Sequence, residues 1–226
     1  MSRMRKRDDS GMTLAELLVS MLIFSILMVM TTAIMISMMY MTRDNLGRVN
    51  AAEEARLGIS QIDRQVRSGN VIMDPANESA VDSGVEPYYS LRIYTQEGAA
   101  PKCAQWRVIA DAPGELGRLE YRHWSPNYPT DPFVADWAVV ARNVVVPAET
   151  VPDPDDSATW PPFWKDPTTV VSGAASTPAQ NVRITLQIKS PDMREDAKPV
   201  SISTVVTGRN TVLGYSESNC AFIPAP

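Results

Sequence analysis

The sequence predicts an α+β protein in which one long N-terminal α-helix packs on an antiparallel β-sheet head, and three observations carry that prediction. Leu17 to Met41 is a run of twenty-five residues without a charge. Beyond it Leu46, Val49, Ala52, Ala55, Ile59, Ile62 and Val66 recur every three or four residues, the spacing of one helix face, and no proline occurs before Pro75. After residue 70 the pattern changes to short alternating runs. The clearest is VRITLQIK, residues 182–189, where Val182, Ile184, Leu186 and Ile188 share one side of a strand and Arg183, Thr185, Gln187 and Lys189 the other.

The N-terminal element begins with residues 1–11, MSRMRKRDDSG, in which Arg3, Arg5, Lys6 and Arg7 outweigh Asp8 and Asp9. Residues 12–41 follow as an apolar helix. Its charge-free part spans roughly 37 Å, more than the ~30 Å of a bilayer's hydrocarbon core. Basic residues before such a span hold the N-terminus in the cytoplasm and send the remainder across. A secretory signal has a shorter apolar stretch and an A-x-A-like site after it. Here the small-residue break, Ser10-Gly11, precedes the run instead.

Eight of the twelve methionines lie between Met12 and Met41 and read as membrane-compatible filler. Ser20, Ser25, Thr31, Thr32 and Ser37 are expected mostly to bond their own helix's carbonyls.

Residues 42–70 are the amphipathic continuation. Arg43, Arg48, Glu53, Glu54, Arg56, Arg64 and Arg67 form its polar face. Gly47 and Gly58 are weak points in the helix, and Gly69-Asn70 is its expected stop, with Gly69 in a left-handed cap.

Residues 71–226 form the β-rich head. Strands are expected at 91–94, 104–110, 118–124, 138–146, 182–189 and 200–207, half-buried and covered on one face by the helix stripe. Pro147 to Pro178 is too proline-rich for a central strand and reads as a long surface loop. Within it Trp160, Phe163 and Trp164 either offer aromatic anchors to another subunit or fold back over the sheet.

Composition narrows the function. With 21 Lys+Arg against 26 Asp+Glu, the basic footprint of a nucleic-acid binder is missing and no direct nucleic-acid contact is expected. The two cysteines, Cys103 and Cys220, have no zinc spacing. They read as one bridge in an oxidising space, closing a loop worth about 4–5 kcal/mol in the chain-entropy model, or as two separate buried thiols. Asp153, Asp155 and Asp156 are candidate calcium ligands. The run lacks the loop glycine and terminal glutamate of an EF-hand, so a solvated acidic turn is the expectation and no cofactor is assigned. The single histidine, His123, has no G-x-S-x-G elbow or other catalytic signature beside it, and H-E-x-x-H and G-x-x-x-x-G-K are absent, so no enzyme is expected.

Gly11 followed by Met12-Thr13-Leu14-Ala15-Glu16-Leu17-Leu18 resembles the prepilin cleavage and methylation motif of type IV pilins and pseudopilins. The resemblance implies that a prepilin peptidase of the cytoplasmic membrane cuts between Gly11 and Met12, and that the new amine of Met12 is methylated. It makes Glu16 the assembly contact, its carboxylate neutralised by the Met12 amine of a neighbouring subunit. Methionine stands at Met12 where phenylalanine is the commonest family residue. The implied partners are other pilins or pseudopilins, a pilus or secretion assembly platform, and the lipid bilayer before assembly.

The head resembles, over the short stretches ISQIDRQVRSG (59–69), CAQWRV (103–108) and LEYR (119–122) and a closing strand pair through Arg209-Asn210, the larger minor pilins and J-type pseudopilins. The functions implied are a minor pilin-like filament subunit, a pseudopilin of a type II secretion or DNA-uptake machine, or a signal-anchored surface binding protein that never polymerises. In each the chain crosses the cytoplasmic membrane once with its head outside.

Overall fold

The computed structural model describes residues 12–96, 100–112, 114–128, 130–146, 153, 155–165, 180–208 and 217–226. The leader with Gly11, most of the proline-rich loop, and Arg209-Asn210 lie outside the described residues. Helix α1 runs from Leu14 to Ser68, and two compact units meet within it, Met1–Asn45 and Leu46–Pro226.

In the first unit the described residues are helical from Leu14, and every residue from 12 to 43 is exposed. Its hydroxyls turn inward on their own backbone. Ser25 donates to the Met21 carbonyl (2.7 Å), Thr32 to that of Met28 (2.7 Å) and Thr42 to that of Met38 (2.8 Å). Such bonds leave an apolar outer surface, and the helix is long and apolar enough to cross a membrane.

In the second unit the rest of α1 lies against one antiparallel sheet, giving an α+β, pilin-like fold. Among the described residues the strands are β1 (Gly69–Ile72), β2 (Ser90–Thr95), β3 (Lys102–Ile109), β4 (Leu116–Trp124), β5 (Ala138–Val145), β6 (Phe163–Trp164), β7 (Asn181–Ile188) and β8 (Val200–Thr207). Their spatial order is β1-β2-β3-β4-β5-β7-β6, with β8 paired to β7. The sheet curls until β1 reaches the start of β7. There the Gln180 amide replaces a backbone rung, accepting from Ile72 N–H (2.6 Å) and donating to the Asn70 carbonyl (3.0 Å).

The buried face of α1 is rotated from the predicted stripe. Gly47, Ala51, Ala55, Gly58, Ile62, Gln65 and Val66 are buried, whereas Leu46 and Val49 stay 58% and 54% exposed. Small residues win because the β7–β8 connection and the sheet come close. A methyl on Gly47 would lie 2.9 Å from Met193 Cγ, and one on Gly58 would lie 3.0 Å from Leu119 Cδ2. The two glycines read as weak points are therefore contact points.

Glu54, placed on the polar face by its spacing, accepts the Arg142 backbone N–H of β5. The expected left-handed cap at Gly69 is also corrected. Gly69 opens β1 opposite Thr95, and glycine is needed there because a Cβ would meet Ile93 Cγ2 at 2.8 Å.

Leu91, Ile93, Ala104, Trp106, Leu119, Ile184, Leu186 and Ile188 fill the space beneath the helix, all at 0% exposure. Burying each large side chain of this set stabilises by about 1.5–3 kcal/mol. Trp106 Nε1 donates to Gln65 Oε1 (2.9 Å), satisfying the one polar group the helix brings into this layer.

Candidate functional site

The residues of the N-terminal motif sit at the mouth of α1. Thr13 precedes the helix, and its Oγ1 accepts the Glu16 N–H (3.3 Å) while its carbonyl accepts the N–H groups of Glu16 (3.1 Å) and Leu17 (3.2 Å). Thr13-x-x-Glu16 has the spacing of a helix capping box, a start signal that the spacing analysis passed over. Glu16 lies in the first turn, where the unsatisfied N–H groups of the helix favour a negative charge. Ser20 Oγ closes on the Glu16 carbonyl (2.6 Å). Met12 and Glu16 are exposed. The arrangement is thus a carboxylate one turn inside an apolar helix.

The head carries a second, unanticipated construction. Half-buried strands would leave the sheet's far face in water, yet Ser90, Gln105, Arg107, Glu120 and Arg122 on that face are all buried. The cover comes from residues 217–226, the short helix α2 (Ala80–Ser83) with its flanking turn, and Trp137. Cys103 of β3 is bridged to Cys220, 117 residues away, which ties this strap to the sheet and settles the cysteines as a pair. Val71, Met73, Tyr94 and Trp124 pack around the bridge as a small second core.

Arginines hold the remainder of the strap. Arg122 donates to the carbonyls of Pro224 (2.9 Å) and Ala225 (2.7 Å) and twice to Gln105 Oε1 (3.0 and 2.8 Å). Arg92 donates to the Cys220 carbonyl (2.7 Å) and pairs with Glu78 at 3.0 Å. Arg107 pairs with Glu120 at 2.8 Å and donates to the Ser83 carbonyl (3.0 Å). The Trp137 ring lies 3.8 Å from the Arg107 guanidinium and 4.3 Å from that of Arg122, a cation–π contact to each.

Burial, then the charge of Arg107, pushes Arg122 down to about 10. Burial raises the Glu78 carboxyl, with Arg92 opposing and Asp82 and Asp74 adding to the rise. The sequence signal for this layer was the alternation Cys103, Gln105, Arg107 facing Glu120, Arg122, Trp124, which reads as a solvated face until the strap is seen.

The remaining candidates are placed as follows. Phe163 and Trp164 are 0% and 6% exposed and pair with Ile184 and Arg183 as β6, so this part of the predicted surface loop is corrected to a short strand of the sheet itself. Trp160 receives the Arg183 guanidinium at 4.0 Å from its ring centroid and donates Nε1 to the Asp153 carbonyl (2.9 Å). Asp153, Asp155 and Asp156 are exposed, and Asp153 Oδ1 accepts the Asp155 N–H (2.9 Å). Among the described residues no group of three His, Cys, Asp or Glu side chains gathers as a metal set. His123 lies in β4 with its ring 5.8 Å from those of Tyr121 and Phe133.

No curated protein and no solved structure matches the chain significantly. A family model described as the prokaryotic N-terminal methylation motif matches residues 6–32, which include Met12, Thr13 and Glu16 and the first turns of α1. The chain therefore carries the prepilin-cleavage signature of type IV pilins and pseudopilins at the head of a membrane-grade helix.

Proposed function

We propose that the chain is the precursor of a minor pilin-like structural subunit of a type IV filament. The observation that carries the reading is the methylation motif at residues 6–32, seated on the capped first turn of a helix whose side chains are exposed from 12 to 43. A helix with that surface suits lipid first and the flanks of identical helices later.

Cleavage between Gly11 and Met12 removes four basic and two acidic residues and moves the formal charge from −5 to −7. It also creates a cationic amine four residues from Glu16. A carboxylate at the centre of a membrane helix costs about 2.5–3.5 kcal/mol on the insertion scale, less near the interface where Glu16 starts. The methylated Met12 amine of a neighbouring subunit offsets that cost and fixes the axial register of the packed helices, since paired charges specify register more dependably than they stabilise.

Mass spectrometry of the mature N-terminus tests the proposal. The expected species starts at Met12 with N-methylation. An intact Met1, or a start beyond Met41, overturns it. Glu16→Ala should insert normally but fail to enter filaments, and unimpaired incorporation would leave the non-polymerising anchor as the better reading.

A further inference from the structure

A cleft of about 430 Å³ opens between the turn Pro75–Asn77, helix α2, β2 and the strap. Its charged walls are Asp74, Glu78, Asp82 and Arg92, and Met73 and Ile223 are among its apolar ones. Three carboxylates thus meet one guanidinium, and that guanidinium is already engaged. Arg92 pairs with Glu78 Oε1 at 3.0 Å and donates to the Cys220 carbonyl (2.7 Å). Three negative charges against one positive leave the cleft at −2.

Glu78 is the informative member. It is 2% exposed, yet its second oxygen, Oε2, is buried with no hydrogen-bond partner. Native proteins seldom leave a buried carboxylate oxygen unbonded. Burial raises this carboxyl, and the neighbouring charges of Asp82 and Asp74 raise it further against the pull of Arg92. An ammonium donor in the cleft would answer both the missing bond and the crowded negative charge.

The placement of the carboxylates selects the kind of cation. Among the described residues no three acidic side chains gather closely enough to hold one metal ion, yet Asp74 and Asp82 are near enough to act on Glu78. Carboxylates spread around a cleft with apolar walls suit two cationic groups joined by a short aliphatic chain. The chain itself does not supply such a pair. Outside the described residues the head holds one basic residue, Arg209, which cannot balance a charge of −2. A second copy approaches with a net charge of −5 and is repelled.

We infer that this cleft binds a short aliphatic diamine. One ammonium donates to the Glu78 carboxylate and the other is held by Asp82 and Asp74, while the methylenes lie against Met73 and Ile223. Hydrogen bonds between ionised partners are about twice as strong as neutral ones. Long cationic chains bury their methylenes on apolar surface and keep the charged ends in polar surroundings. The bound diamine would join α2 and its flanking turn to the strap, beside the Cys103–Cys220 bridge. The inference does not depend on the filament reading.

Isothermal titration calorimetry of the full chain in micelles of an uncharged detergent tests it, with 1,4-diaminobutane as the probe. One molecule should bind per chain, and butylamine, charged at one end only, should bind at least tenfold more weakly. Glu78→Gln and Asp82→Asn should each weaken the diamine at least tenfold with the near-UV circular dichroism unchanged, and the less buried Asp82 serves if the Glu78 variant unfolds. Asp131→Asn removes an exposed carboxylate that does not line the cleft and should bind as the parent does.

Absence of binding by the parent, parent-like binding by a folded Asp82→Asn, or a loss in Asp131→Asn as large as in Asp82→Asn would overturn the proposal. Displacement of the diamine by an equal concentration of calcium chloride would make the site a metal site instead. A peptide with a single lysine that binds as tightly as the diamine would assign the cleft to a protein side chain, and binding seen only in Arg209→Gln would assign it to the chain's own guanidinium. Each of these outcomes also overturns it.

Discussion

Gly58 gives the sharpest test of how the helix and sheet fit. At an exposed helical position, replacing glycine with alanine stabilises by about 1 kcal/mol through backbone entropy alone. At Gly58 the new methyl would lie 3.0 Å from Leu119 Cδ2, 3.2 Å from Leu186 Cδ1 and 3.8 Å from Ala141 Cβ. Both leucines are at 0% exposure, so neither has free space to yield into. Overpacking of this kind costs about 1–3 kcal/mol, which cancels or outweighs the propensity gain.

Gly58→Ala should therefore be neutral to about 2 kcal/mol destabilising. Gly58→Leu, whose added carbons enter the same closed space, should cost about 3 kcal/mol or more. For a head of this size that is a fall in Tm of about 6–12 °C. Thermal unfolding of the full chain in micelles, followed by near-UV circular dichroism, reads both. A Tm for Gly58→Leu at or above that of the parent would refute the close approach of α1 to β4 and β7.

Two further outcomes follow. Cys220→Ser opens a bridge spanning 117 residues and should cost about 4–5 kcal/mol in the chain-entropy model, read from urea midpoints; a loss below about 1 kcal/mol would show that the strap holds itself. Glu78 supplies a pH test, because burial raises its carboxyl from an ordinary value of 4.5, so the folded chain binds that proton more tightly than the unfolded one. Its contribution to stability is full below that ordinary value and is lost as pH rises through the raised one. Glu78→Gln, which does not titrate, should thus gain on the parent in Tm as pH rises above 4.5, and a constant difference would contradict the assignment.

Much of the head was legible because a half-buried strand writes its pattern every second residue. Val182, Ile184, Leu186 and Ile188 alternate over seven positions, and all four are at 0% exposure. Short elements carry too little pattern, so β1 and the two residues of β6 were missed beside Gly69 and the prolines around Phe163. The helix face was displaced because spacing arguments weigh large apolar residues, whereas the buried face is made of Gly47, Ala51, Ala55 and Gly58, and at both glycines the rest of the head comes too near for a larger side chain.

The arginines of the far face read as solvent contacts because their acceptors are carbonyls, which belong to every sequence and mark none. At the N-terminus the opposite held. Gly11, Glu16 and the apolar run form a local signature that requires no tertiary structure, and the methylation-motif match falls on it.

The strap imposes an order in time. Arg122 finds its acceptors at Pro224 and Ala225, 102 and 103 residues later, and Cys103 waits still longer for its sulfur partner. As the chain emerges from the ribosome, β3 and β4 are made long before the segment that can shelter their polar faces. Until then those guanidinium groups must remain hydrated, and the sheet stays an unfinished scaffold. The head reaches its native form only after residues 217–226 are released, so a chain that keeps every strand but lacks those residues should fail to mature.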